Sequence, residues 1–345
     1  MQTNFPLKDF NTFGFEVFAN KFFEYNSENR LIEFLQNNRK HPDRLLHIGR
    51  GSNLLFLGDF DGTILHSNIR YIEVERIEPN NAFVRAGAGV LWDDLCAEMV
   101  KSNFCGTENL SLIPGETGAA AIQNIGAYGA EIKDIIHKIE TINTKTCQKR
   151  IFDVSECGYG YRESIFKTIY KGEYIITAVI FRFSTKKKLN LEYGTIRKHL
   201  KQVENPDIKD VRDAIIKIRT EKLPDTKVYG NAGSFFKNPC CCMAHFETLK
   251  KAYPTMPHYP VNEEVVKLSA AWLIEQCGWK GKRVGNVGTY PLQPLVLVNY
   301  GNAKPQEIAE LSEAIQKSVF NEFSLKLECE VNFIPPQFRQ EPRYC

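Results

Sequence analysis

The stretch from residue 70 to 183 most constrains what this chain can fold into. It is cut into short apolar runs suited to strands, at 71–77, 82–86, 135–142, 149–154 and 174–183. One helical segment, 91–102, interrupts them with Leu91, Leu95 and Met99 on one face. That order is not the regular strand and helix alternation of a parallel sheet, so the fold class is α+β. Before it, a helix is expected at 27–38, with Leu31, Phe34 and Leu35 on one face, and a strand at 45–48. After it, a charged helix at 207–221 runs into Lys222-Leu223-Pro224-Asp225, where proline bars continuation and a domain boundary is expected. Helices at 265–277 and 305–323 and strands at 295–300 and 325–334 complete the reading. In the last strand Leu325, Leu327, Cys329, Val331 and Phe333 alternate with Lys326, Glu328, Glu330 and Asn332, which puts both glutamates on one face.

A chain of 345 residues exceeds one ordinary core and, at about 150 residues per domain, implies two or three. The net charge of +3 gives no support for a nucleic-acid binder, which would show a concentrated basic face. Ten cysteines include the adjacent Cys240, Cys241 and Cys242 and no C-x-x-C pair, which argues against zinc and for free thiols in a reducing compartment. The first fifteen residues carry Lys8, Asp9 and Asn11 where a secretory signal needs an unbroken apolar core. No segment approaches the roughly 18 apolar residues of a membrane span. A cytoplasmic protein without membrane insertion is expected.

Five stretches carry chemistry-bearing residues. The 45–48 strand runs into Gly49-Arg50-Gly51-Ser52-Asn53, where consecutive backbone N–H groups of a glycine turn can form an anion nest for a phosphate or pyrophosphate. It lacks the G-x-G-x-x-G and G-K-[ST] spacings, so an ordinary bend is the competing reading. Residues 113–129 hold four glycines, the Ala119-Ala120-Ala121 run, Gln123 and Asn124. Backbone that bare lets a flat ligand lie along it, the alternative being close packing of a helix on a sheet. Arg162 presents a bidentate fork for a carboxylate, against an ion pair with Glu163 or Asp153. Tyr193-Gly194 offers a hydroxyl in a loop. In Gly230-Asn231-Ala232-Gly233-Ser234-Phe235-Phe236-Lys237-Asn238-Pro239 the glycines let main chain and Ser234 press against a ligand, or simply make a turn.

Together these motifs, with Lys222-Leu223-Pro224-Asp225 and Leu327-Glu328-Cys329-Glu330-Val331, follow the order found in the UDP-N-acetylenolpyruvoylglucosamine reductase family, which the chain resembles from Asn11 to Ile334. The resemblance is to the first of that family's two structural types. It implies a vanillyl-alcohol-oxidase-type FAD-binding fold, with subdomains at 1–68 and 69–224, a C-terminal α+β substrate-binding domain at 225–334, and a tail at 335–345. It further implies non-covalent FAD, NADPH as reductant, a nucleotide-sugar substrate in peptidoglycan precursor synthesis, and a monomer. Carried over, Arg162, Glu330 and Ser234 take the catalytic positions, with Ser234 as proton donor. Tyr193, Arg219, Lys222, Asn238 and Gln293 take substrate-contacting positions. Gly49, Arg50, Gly51, Ser52 and Asn53 hold the FAD pyrophosphate, and Pro114, Gly115, Gly118, Ala119, Ile122, Asn124, Gly126 and Tyr128 lie along the cofactor. The family pattern around the glutamate reads L-E-P-E-V-R, from which Cys329 and Asn332 depart, and Arg50 stands where an acidic or small residue is common. Another oxidase or dehydrogenase of the same flavin fold, with His47 or Cys105 as covalent attachment points, and a non-catalytic binding protein are the alternatives.

Overall fold

The computed structural model describes residues 1–39 and 43–336, so positions 337–345 of the expected tail lie outside the described residues. The chain divides into two compact units. One comprises Met1–Phe5, Ala19–Arg50 and Asp61–Glu221, the other Pro6–Phe18, Gly51–Phe60 and the chain from Lys222 onward.

The first unit holds a four-stranded sheet in the order Gln2–Pro6, Phe18–Tyr25, Phe60–Ser67, Leu45–Ile48. Its last two strands run parallel, with Ile48 in register with His66. A helix, Glu28–Asn38, starts where Ser27 Oγ accepts from Arg30 N at 3.3 Å, and buries Leu31 and Leu35 against Phe23, Tyr25 and Leu65. The second sheet is antiparallel, ordered Lys149–Asp153, Ile136–Asn143, Tyr174–Ser184, Asn81–Gly87, Ile72–Ile77. Its core takes in Val84, Ile139, Val179 and Phe181 together with Trp92, Leu95 and Met99 of the Trp92–Lys101 helix. The 119–121 alanines belong to a short helix, Thr117–Gln123, that buries Gly118, Ala120 and Ala121 in this core and leaves Ala119 and Ile122 half-exposed.

The second unit is built on two small antiparallel sheets, Arg283–Val284, Val287–Tyr290, Gln293–Asn299 and Cys240–Cys242, Val265–Leu268, His258–Pro260. A helix, Pro305–Phe323, buries Ile308, Leu311, Ile315, Val319 and Phe323. Pro305 occupies its first turn, where a missing N–H costs nothing.

Two expected elements differ. Residues 265–277 are not one helix: Val265–Leu268 is a strand, and the helix is Ala270–Gln276. Ser269 makes the break, its Oγ accepting from Trp272 N, and the two β-branched valines before it suit a strand. Residues 325–328 alternate in burial as expected, but Cys329 and Glu330 are both half-buried, and the only strand there is Asn332–Ile334, parallel to Leu54–Phe56. Upstream, the Leu327 carbonyl accepts from the Gln316 side chain, and pairing shrinks to a single bridge, Phe236 with Cys329.

Candidate active site

In the second unit the serine loop and the glutamate segment are neighbours. Phe235 and Phe236 are fully buried, Phe235 edge-on to Phe333 at 5.9 Å, and this anchorage leaves Ser234 exposed. Phe235 N donates to Leu295 O at 2.7 Å, Ser234 bridges Val296, and Glu330 N donates to Phe235 O at 2.8 Å. The next bond along is Lys237 N to Glu328 O at 2.9 Å, and Lys237 Nζ also pairs with Glu328 Oε2 at 3.0 Å. Glu330 is half-buried, whereas Glu328 is exposed. The end of the glycine turn is tied to the same segment: Asn53 Nδ2 donates to the Glu330 carbonyl at 3.1 Å, and Asn332 N and Nδ2 both donate to Asn53 O. Ser234, Glu330 and Asn53 are thus held in one backbone network. Lys222 is exposed at the end of the Ile208–Lys222 helix. Asn238 Oδ1 accepts from Ala270 N at 2.9 Å and so helps start the Ala270–Gln276 helix. Gln293, at the head of its strand, turns its Oε1 back to Leu295 N.

The glycines of the serine loop have structural causes. A Cβ on Gly230 would collide with the Phe13 carbonyl, and Gly233 has φ +70° with open space beside it. Gly51, at φ +65°, is pressed against the Phe10 carbonyl. At Gly230 and Gly51 main chain packs on main chain, which is a reason for glycine independent of any ligand.

In the first unit Arg162 lies along bare backbone. Its Nη1 donates to Asn124 O at 3.3 Å and its Nη2 to Gly126 O, and a Cβ on Gly126 would stand 2.8 Å from Nη1. That Cβ would also stand 2.9 Å from the Ala130 carbonyl, so backbone as well as the guanidinium calls for glycine there. Asn124 has φ +45° and is buried; its Nδ2 reaches Glu131 and Gly160 O, and its Oδ1 accepts from Lys133 N. That amide is spent on the loop, so what it can offer a cofactor is main chain. Tyr128 meets Tyr193 edge-on at 5.5 Å, and Tyr193 is exposed. Burial pushes the Tyr128 hydroxyl up, against the opposing pull of Arg219. Burial likewise lowers the Arg219 guanidinium, which Tyr128 partly offsets. Arg219 Nε is buried without a hydrogen-bond partner among the described residues, an orphaned donor suited to an anionic ligand.

The residues of this unit expected along the cofactor are for the most part open to a ligand. Gly49, Arg50, Gly115, Ala119, Ile122, Gly126 and Tyr128 are half-exposed, Pro114 is exposed, and Gly118 is buried against Ala88. A Cβ on Gly49 would stand 3.3 Å from Ala119 Cβ, so the glycine turn and the open face of the Thr117–Gln123 helix adjoin. Ser52, in the other unit with Gly51 and Asn53, is half-buried. Of the covalent attachment points raised above, His47 Nε2 is engaged by the Tyr25 hydroxyl at 2.8 Å, and Cys105 is buried with its thiol pushed up by desolvation.

Sequence reasoning missed Asn109, whose buried Nδ2 donates to Tyr128 O and Asn190 O, both at 2.9 Å, clipping together the loops that carry the two tyrosines. It also missed His66 and Glu116; the signal available was a lone carboxylate in an otherwise uncharged small-residue stretch.

A family model for the C-terminal domain of UDP-N-acetylenolpyruvoylglucosamine reductase matches residues 224–334, and one for an FAD-binding domain matches 19–146. A protein of Bacteroides fragilis named UDP-N-acetylenolpyruvoylglucosamine reductase is 47% identical over 334 residues, covering 97% of this chain and all of the relative. A Flavobacterium johnsoniae protein of the same name is 44% identical, with 97% and 99% covered. The crystal structure of UDP-N-acetylenolpyruvylglucosamine reductase from Thermus caldophilus shares the fold, with a TM-score of 0.68 at 23% identity over 96% of this chain and 97% of that one. An FAD-binding domain joined to a distinct C-terminal domain, in an α+β fold, is what these findings show, and the protein is an FAD-dependent oxidoreductase. The chain belongs to the UDP-N-acetylenolpyruvoylglucosamine reductase family.

Proposed function

We propose that this enzyme reduces the enolpyruvyl double bond of UDP-N-acetylglucosamine enolpyruvate to the lactyl group of UDP-N-acetylmuramate, a peptidoglycan precursor, in the cytoplasm, with NADPH as reductant. The observation that carries the reading is the hydrogen bond from Glu330 N to Phe235 O, which sets the glutamate beside the exposed Ser234. When bound, FAD supplies a hydride, taken from NADPH, to the methylene carbon of the substrate. Arg162, anchored on the Asn124 and Gly126 carbonyls, turns its remaining guanidinium N–H groups to the substrate carboxylate. Glu330 in its protonated form donates a hydrogen bond to the enolic oxygen as charge builds on the carboxylate, which is stabilisation aimed where charge develops. Ser234 Oγ gives its proton to the carbon next to that carboxylate. A serine hydroxyl is a weak acid and serves here because the carbanion is strongly basic; Lys222 is assigned to steady the resulting alkoxide. Arg219 and Tyr193, with Asn238 and Gln293, bind the nucleotide-sugar, and the buried donor of Arg219 supports that role.

Ser234→Ala tests the scheme. NADPH should still bleach the flavin at close to the wild-type rate, while reoxidation by the enolpyruvyl substrate should fall by at least a hundredfold, in the range expected for losing a general acid. Unchanged reoxidation under anaerobic stopped flow would remove Ser234 as the donor.

A further inference from the structure

Three side chains that the scheme leaves unused meet beside the Gly49 turn. His66, on the Phe60–Ser67 strand, is fully buried. Its Nδ1 is 2.9 Å from Glu24 Oε2 and its Nε2 is 3.0 Å from Glu116 Oε1. Glu116 is 1% exposed, and its other oxygen faces Gly49, where a Cβ would stand 3.1 Å from Oε2. Ionised carboxylate oxygens accept and do not donate, so the two contacts need two protons shared among the three groups. However those two protons are shared, the three groups together carry one net negative charge, and Glu24 is the exposed end where solvent screens it. Without the imidazole, a buried carboxylate would stand uncompensated at the turn.

Under the proposed function the Gly49 turn would receive the diphosphate of FAD, and an uncompensated carboxylate facing that turn would repel it. We infer that His66 is a positioning residue of the flavin site: it neutralises Glu116 and holds that carboxylate between the Gly49 turn and the start of the Thr117–Gln123 helix, so that the turn accepts an anion. The inference rests on that reading of the turn, and it makes the histidine's value electrostatic: the same contact that packs the turn also decides whether a diphosphate is tolerated there.

The test is binding to apoprotein, titrated by flavin fluorescence with FAD and with riboflavin, which has no phosphate. Wild type should prefer FAD. His66→Gln should weaken FAD at least tenfold and leave riboflavin within twofold. The double variant His66→Gln/Glu116→Gln should regain most of the FAD affinity, because the uncompensated charge is gone; a purely structural role predicts no such rescue. Thermal midpoints of the apoproteins report folding. If His66→Gln does not fold, Glu116→Gln decides: it keeps an acceptor for His66 and should bind FAD at least as tightly as wild type, and a tenfold loss overturns the inference. Wild type that binds FAD no tighter than riboflavin removes the diphosphate reading and the inference with it. Full FAD preference in a folded His66→Gln protein, or a double variant no better than the single, removes the inference alone.

Discussion

Gly51 and Gly14 make the same left-handed turn for different reasons. Both lie in the second unit with positive φ, +65° and +72°. A methyl on Gly14 meets nothing within 4 Å, whereas one on Gly51 would occupy the Phe10 carbonyl. Gly14→Ala should therefore cost about 1 kcal/mol, the price of the backbone region alone. Gly51→Ala should cost more than about 3 kcal/mol, since strain and collision add. Urea midpoints with unchanged slope would measure both, and equal losses would refute the packing argument. Residue types at the site were legible in the sequence because their order is that of a family. Their employment was not. Asn124 is a polar residue in a stretch expected to meet the cofactor, and nothing local announces that its side chain's three hydrogen bonds go to Glu131, Gly160 and Lys133. His66 sits in an apolar strand, and its partners lie 42 and 50 residues away.

Elements were read well where periodicity and a cap agree, as in Glu28–Asn38 and Pro305–Phe323. The reading failed at 265–277, where a strand and a helix abut and Ser269 alone separates them. It failed differently at 325–334, because alternation reports burial and cannot report whether a neighbour pairs. That segment also explains the departure at Cys329. The bridge to Phe236 is made by the flanking bonds, Lys237 N to Glu328 O and Glu330 N to Phe235 O, so it does not use the Cys329 N–H. Proline, the family's residue there, is compatible with the same ladder. Cys329→Pro should change stability by less than about 1 kcal/mol and leave Glu330 in place, whereas Lys237→Pro removes a bonded N–H and should cost about 3 kcal/mol. Burial also pushes the Cys329 thiol up to about 12, with Glu313 adding to it, so thiol reagents should spare it in the folded protein.

At the scale of the whole molecule, stability should depend on pH through His47. Burial first, and the neighbouring His66 second, hold its imidazole down to about 3. In the unfolded chain it titrates near 6.5. Between those values the unfolded state carries a proton that the folded state refuses, so unfolding gains proton-binding free energy as pH falls. The contribution is complete above about 6.5 and is lost progressively toward 3; by pH 5 the loss is about 2 kcal/mol, at 1.4 kcal/mol per unit. Paired carboxylates such as Asp93, which Arg212 holds below its usual range against the opposing effect of burial, lose their contribution only at lower pH. Above pH 5 the histidine is therefore expected to lead. His47→Gln keeps a partner for the Tyr25 hydroxyl and removes the titration. Wild type should lose roughly 2 kcal/mol more than the variant between pH 7.5 and pH 5 in urea unfolding. Parallel pH profiles for the two proteins would mean that His47 is protonated in the fold, and that the hydroxyl of Tyr25 meets a cation there.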